Sequence, residues 1–170
     1  NNGGSSIGMT KVKTALELPL ALRKAFNEDN QVLVEEFVHG REFSVGVYKN
    51  NKGIHVLPAT EVIPSNDFFD FEAKYTPGAT EEITPGRMTE AEKLRVERIV
   101  TDIYLKLNCK GMVRIDYFLQ NQTSNFYFIE INTIPGQTAQ SFIPQQVRAA
   151  GLNMDEFYGD LIEMALKNKK

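Results

Sequence analysis

Two periods of hydrophobic and polar positions run along this chain, and the changes from one to the other mark its elements. Residues 113–119 and 126–132 alternate apolar with polar and predict two strands, with Gln120, Asn121, Thr123 and Asn125 supplying turn chemistry between them. Residues 42–48 and 54–57 predict a second hairpin around Lys49-Asn50-Asn51-Lys52-Gly53, and 61–63 a short strand. Residues 31–38 predict a further, mostly apolar strand carrying Val32, Leu33, Val34, Phe37 and Val38.

The helical period governs the rest. A helix is predicted within residues 10–26, broken or started by Pro19, with Leu16, Leu20, Leu22, Ala25 and Phe26 inward. Thr89 and Glu92 form a capping box opening a helix to about Leu107, with Leu94, Val96, Ile99, Val100, Ile103 and Leu107 inward. Residues 140–150 predict a helix stopped at Gly151, and 154–167 a final amphipathic one. Residues 64–86 show little periodicity and form a connection too long to be passive. The order of elements predicts an α+β fold, an antiparallel sheet with helices packed on one face.

The hairpin at 113–132 carries the chemistry. If its turn is symmetric about Thr123, Asp116 pairs with Glu130 and Arg114 with Asn132. Side chains alternate faces, so these four share one face, leaving Val113, Ile115, Tyr117, Leu119, Tyr127, Ile129 and Ile131 to the core. Two carboxylates and a carboxamide are hard oxygen donors suited to Mg²⁺. The plainer alternative is a solvated face with one ion pair. Arg114 either pairs with Asp116 or Glu130, or stabilises charge that develops in a reaction.

Composition narrows the field. The 170 residues are 42% hydrophobic and 24% charged, as in an ordinary globular protein. A net charge of −3 gives no global attraction to nucleic acid or anionic membrane, so any phosphate site is local. No apolar run spans a bilayer. The single Cys109 cannot form an internal disulfide and reads as packed; His39 and His55 have no partner pattern. The opening Asn1-Asn2-Gly3-Gly4-Ser5-Ser6-Ile7-Gly8 is either a linker or a cradle of backbone N–H groups for phosphate, and it suggests a fragment of a longer chain. Glu35 and Glu36 read as the solvated acidic end of a sheet strand. Phe68, Phe69, Phe71 and Tyr75 crowd the long connection, packing under it or lining a site, beside Lys74, which can hold a phosphate as a point charge.

Gly-Gly-Ser-Ser-Ile-Gly, Glu-Ala-Lys-Tyr, Arg-Ile-Asp and Glu-Ile-Asn-Thr-Ile-Pro-Gly occur here in that order. As a set they resemble the ATP-grasp ligases, and within them the D-alanine–D-alanine ligase family, over residues 3 to about 165. The resemblance implies a division into a serine-containing active-site loop (1–9) and a carboxy-terminal ATP-grasp region (10–170), with the family's amino-terminal domains absent. It implies Ser6 near the phosphates and Ser5 in a hydrogen-bond network with a tyrosine. Glu35 would meet the adenine amino group, the backbones of Glu36 and Val38 the ring edge, Glu42 the ribose hydroxyls and Lys74 a phosphate. Tyr75 would favour D-alanine over D-lactate as second substrate. Arg114 and the Gly136 N–H would form the oxyanion hole, and Ser141 and Phe142 would contact the second substrate's carboxylate. Asp116, Glu130 and Asn132 would hold two Mg²⁺ ions, with Mn²⁺ a possible substitute.

The implied reaction joins two D-alanines through an acyl phosphate at the expense of ATP, for peptidoglycan synthesis and cell shape. The implied setting is a bacterial cytoplasm and a full-length homodimer, with no nucleic-acid or membrane partner. Phe69 departs from a tyrosine found in relatives, and Ile134 from the commoner serine. The 170 residues alone are expected to be inactive. The rival readings are an ATP-grasp ligase for another carboxylate–amine pair and a non-catalytic Mg-nucleotide-binding module.

Overall fold

A computed structural model of the chain describes residues 6–64 and 80–167. They contain helices α1 (Leu18–Phe26), α2 (Glu90–Lys106), α3 (Phe142–Ala149) and α4 (Met154–Lys167). The strands are β1 (Gly40–Asn50), β2 (Gly53–Val56), β3 (Thr60–Pro64), β4 (Thr80–Ile83), β5 (Met112–Gln120) and β6 (Phe126–Asn132). The chain separates into two compact units, residues 1–38 with 63–81 and residues 39–62 with 82–170.

The sheet has the order β4-β3-β1-β5-β6, with β2 also paired to β1. Its pairings with known register are antiparallel, which fits the α+β class. Alternation decides the two faces of its central strands. Phe43, Val45 and Val47 of β1 and Val113, Ile115, Tyr117 and Leu119 of β5 are fully buried on one face. Val96, Val100 and Tyr104 of α2 cover them in one cluster, against which Cys109 also packs. On the opposite face, at its Tyr48 end, Leu57, Ile143, Val147 and Phe157 form a second cluster with Met112 and Tyr158. Helices therefore divide between the two faces instead of gathering on one. Toward its far end the second face carries Arg114, Ser44, Asp116 and Glu42, with Phe118 opposite Glu42.

The capping box forms as the sequence predicts: the Thr89 hydroxyl accepts from Glu92 N, and Glu92 answers to Thr89 N. On α2, Val96 and Val100 are inward as expected, but Leu94 and Leu107 are exposed and Tyr104 is the third buried residue. Leu94 lies two positions, about 200°, round the helix from Val96 and so faces away from the sheet, and Leu107 is the C-cap residue beyond the last turn. Helix α3 ends before Gly151, whose φ of +69° is the left-handed conformation of a helix stop.

Three expectations fail. Residues 31–38 form no strand, and Leu33 and Val34 are 70% and 69% exposed; among the described residues no strand pairs with this apolar run, so it has no ladder to join. Helix α1 forms from Leu18 with Pro19 starting it, one of the two expected readings, but its expected buried side fails: none of its residues is buried, and Leu16, Leu20 and Phe26 are exposed. β4 arises inside the stretch expected to be irregular.

Two acids, Glu61 buried and Glu92 half-buried, tie the larger unit together. Glu61, 2% exposed, receives the Arg87 N–H, Nε and Nη2 at 3.1, 2.8 and 3.1 Å. Glu92 receives Arg41 Nη2 at 2.6 Å and the Ser124 hydroxyl at 2.9 Å. Burial alone would raise both carboxyls, but the bonds from Arg87 to Glu61, and from Thr89 and Ser124 to Glu92, with Arg41 nearby, outweigh it and hold both below 4.5. A depressed folded pKa contributes stability that is present above the unfolded value and lost as pH falls through the folded one. The melting temperature is therefore expected to hold from neutral pH down to about 4.5 and to fall below it, with a shallower fall in Glu92→Gln. An equally steep acid limb in that variant would contradict this assignment.

Candidate active site on the β5–β6 hairpin

The β5–β6 register places Asp116 opposite Glu130 and Arg114 opposite Asn132. The pairing read from the sequence is the pairing formed, but not through the symmetric turn assumed for it: Leu119 pairs with Phe126, one residue off symmetry about Thr123, and the irregularity further along the hairpin restores the expected register. The register then shifts between Asp116 and Tyr117, and Ile129 is the residue without a partner. A bulge of one residue exchanges the faces of everything beyond it. Phe126 rather than Tyr127 consequently lies on the core side and stacks on Tyr117 at 4.6 Å. Tyr127 and Ile129, expected in the core, are 37% and 42% exposed. The bulge is also what brings the four polar residues into the pairs expected of them.

Arg114 grips Asp116 in a fork, Nε to Oδ1 at 2.9 Å and Nη2 to Oδ2 at 2.8 Å, and its Nη2 lies 3.9 Å from Glu130 Oε1. The guanidinium carbon is 5.6 Å from the Phe142 ring centroid, on the first residue of α3. Asp116 Oδ1 also accepts the Ser44 hydroxyl at 2.6 Å from the neighbouring strand, where Ser44 pairs with Asp116. Glu42 stands two residues before Ser44 on β1 and so shares that face. Asn132 Oδ1 accepts the Ile134 N–H at 3.0 Å, turning the chain out of β6. Ser141 precedes α3 as its N-cap residue; its Oγ accepts the Thr138 N–H at 3.1 Å. Gly136 sits so close that a Cβ there would be 2.8 Å from Ser141 Oγ.

The structure thus brings together Arg114, Asp116, Glu130, Asn132 and Phe142, with Glu42, Gly136 and Ser141 on the same unit. Glu35, Glu36 and Val38 belong to the other unit, where both acids are exposed and Val38 is half-buried. Ser6 is described, in a turn with φ of +59°. Ser5, Lys74 and Tyr75 lie outside the described residues, as does the aromatic cluster around them.

A divalent cation fits the donor chemistry of the hairpin. Among the described residues no group of three His, Cys, Asp or Glu side chains converges, so the third donor has to be the Asn132 carboxamide. Asp116 keeps acceptor capacity on Oδ2, and the Glu130 side chain is 59% exposed and able to turn inward. All three offer oxygen.

Sequence reasoning missed Ser44 and Gln146. Gln146 is fully buried, yet its Oε1 accepts Gly46 N–H at 2.7 Å while Nε2 donates to Ser44 O at 2.9 Å and Thr60 Oγ1 at 3.0 Å. Ladder pairing with β3 ends at Ser44 and pairing with β2 begins at Val47, so the amide spans the gap in β1. Its signal was available: Gln146 lies three residues after Ile143 and one before Val147, a polar residue on an apolar stripe.

The family model described as D-ala D-ala ligase C-terminus matches residues 1–163. A D-alanine–D-alanine ligase of Azobacteroides pseudotrichonymphae is 48% identical over 163 residues, 96% of this chain and 50% of the relative. One of Parabacteroides distasonis is 45% identical over 170 residues, the whole chain and 51% of the relative. Among solved structures, the VanG D-Ala:D-Ser ligase of Enterococcus faecalis superposes with a TM-score of 0.83 at 34% identity, over 95% of this chain and 46% of that one. The Bacillus anthracis D-alanine–D-alanine ligase complexed with ATP gives 0.74 at 28%, over 92% and 49%. The chain spans about half the length of the curated relatives it matches.

Proposed function

Because the chain belongs to the D-alanine–D-alanine ligase C-terminal family, we propose that it forms the catalytic half of an ATP-dependent ligase joining two D-alanines for peptidoglycan synthesis. The observation that supports this most is the single polar face on which Arg114, Asp116, Glu130 and Asn132 meet. In the reaction, the carboxylate of one D-alanine takes the γ-phosphoryl group of ATP, releasing ADP and leaving an acyl phosphate. The amine of the second D-alanine attacks that carbonyl, loses a proton and displaces phosphate. Negative charge develops first on the phosphoryl oxygens and then on the carbonyl oxygen.

Arg114 serves both charges from one place, since its planar fork offers several donors and Asp116 fixes its orientation. The Gly136 N–H is the second donor to the carbonyl oxygen, reachable because no side chain intervenes. Ser141 and Phe142 receive the carboxylate of the second substrate. Asp116, Glu130 and Asn132 would hold Mg²⁺, which when bound neutralises the β- and γ-phosphates. The family resemblance assigns Glu35, Glu36, Val38 and Glu42 to the nucleoside, Ser6 and Lys74 to the phosphates, Ser5 to a hydrogen-bond network with a tyrosine, and Tyr75 to the choice of D-alanine as second substrate. We place the ligase in the cytoplasm as a homodimer; among the described residues no helix is long and apolar enough to cross a membrane.

The test is phosphate release from Mg-ATP by a full-length polypeptide carrying this chain. Release with D-alanine and none with L-alanine is the expected result, and the isolated 19.2 kDa chain is expected to be inactive. A full-length polypeptide that releases no phosphate with D-alanine would direct attention to another carboxylate–amine pair.

A further inference from the structure

The loop after β6 contains a linkage that the proposed reaction does not yet use. Gln137 Nε2 donates to Pro135 O at 3.0 Å, and its Oε1 accepts the Tyr158 hydroxyl at 2.8 Å from α4. A carbonyl can only accept, so the Pro135 bond fixes which way the Gln137 amide faces. Nε2 also lies 3.6 Å from Met112 Sδ at the start of β5. Tyr158 is itself held, against the Tyr48 cluster and edge-on to Phe157 at 5.4 Å.

Pro135 C=O and Gly136 N–H belong to one peptide plane and, in a trans peptide, point in opposite directions. Fixing the carbonyl on Gln137 therefore aims the N–H away from it. Among the described residues that N–H makes no hydrogen bond. From the other side, Gly136 is confined by Ser141, whose Oγ would sit 2.8 Å from a Cβ.

We propose that Gln137, anchored by Tyr158, is a positioning residue that aims the Gly136 N–H at the oxygen on which charge develops. This rests on the reading of Gly136 as an oxyanion donor given above. Neither Gln137 nor Tyr158 touches the reacting atoms. Their effect passes through one peptide plane, and donors that are aimed in advance need no reorganisation during the reaction.

The experiment compares wild-type, Gln137→Met and Tyr158→Phe full-length protein. Methionine keeps the length of glutamine without the donor, and phenylalanine removes only the hydroxyl. We expect kcat to fall about tenfold in Gln137→Met and about threefold in Tyr158→Phe, with KM for D-alanine and ATP changed less than about twofold. In glycine-labelled protein, the Gly136 amide becomes more mobile and exchanges faster in both variants, while the melting temperature stays close to wild type. An unchanged kcat in both variants, or a rise in KM alone, would overturn the proposal. So would a Gly136 amide whose mobility and exchange match wild type. The amide measurement needs no turnover, so it decides the placement even if D-alanine proves not to be the substrate.

Discussion

Replacing Arg114 by alanine is expected to lower kcat of the full-length ligase by roughly 10²–10³-fold, the scale of losing a donor aimed at developing charge in a dry site. The magnitude follows from where the side chain sits. Its side chain is 21% exposed, it forks onto Asp116, and the Phe142 ring lies beside it, so its orientation is set before substrate arrives. Lysine should recover little, because a single ammonium cannot reproduce the fork. The folding cost should be smaller than the catalytic one, about 1–2 kcal/mol, since Asp116 keeps the Ser44 hydroxyl and partial access to water. Steady-state kinetics with D-alanine and ATP varied in turn, beside a melting curve, separate the two effects. A kcat within about threefold of wild type in a folded Arg114→Ala protein would remove Arg114 from the chemistry and leave it a surface ion pair.

The hairpin was legible because two independent signals agree there. The alternation of Val113, Ile115, Tyr117 and Leu119 fixes one face of β5, and the turn residues place the return of β6 to within one residue, an offset that the register shift beside Asp116 absorbs. What escaped was the bulge at Ile129, since nothing in Phe126-Tyr127-Phe128-Ile129 distinguishes the two parities: both faces are apolar. Residues 31–38 failed for a different reason. Their composition is that of a strand, but a strand exists only through a partner, and composition carries no information about whether one is at hand. Residues 18–26 are the same case for a helix: the amphipathic stripe forms, and no described residue is buried by it. Ser44 and Gln146 escaped because each acts across long sequence separations, on Asp116 and on Gly46. Local periodicity cannot reach that far.

Gln146 carries the second large prediction. Exchanging it for leucine keeps the volume and removes the amide. Gly46 N–H then has no partner in the gap between β2 and β3, and Ser44 C=O keeps only its ladder with Thr60, in a region closed to water. An unsatisfied buried group costs about 1–3 kcal/mol, so the variant should lose about 2 kcal/mol. For a chain of this size that is a fall in melting temperature of roughly 4–8 °C. Gln146→Glu should be no better, since it keeps the acceptor for Gly46 but loses the donor for Ser44 and adds a buried charge. The effect should reach the site as well. Ser44 is the residue whose carbonyl Gln146 holds and whose hydroxyl holds Asp116, so a loosened β1 loosens the carboxylate. Urea unfolding should show a lower midpoint with an unchanged slope, and Mg²⁺ should be needed at higher concentration for half-maximal phosphate release. If Gln146→Leu unfolds within about 0.5 kcal/mol of wild type, the backbone has closed the gap by itself, and the amide is a passenger in the core.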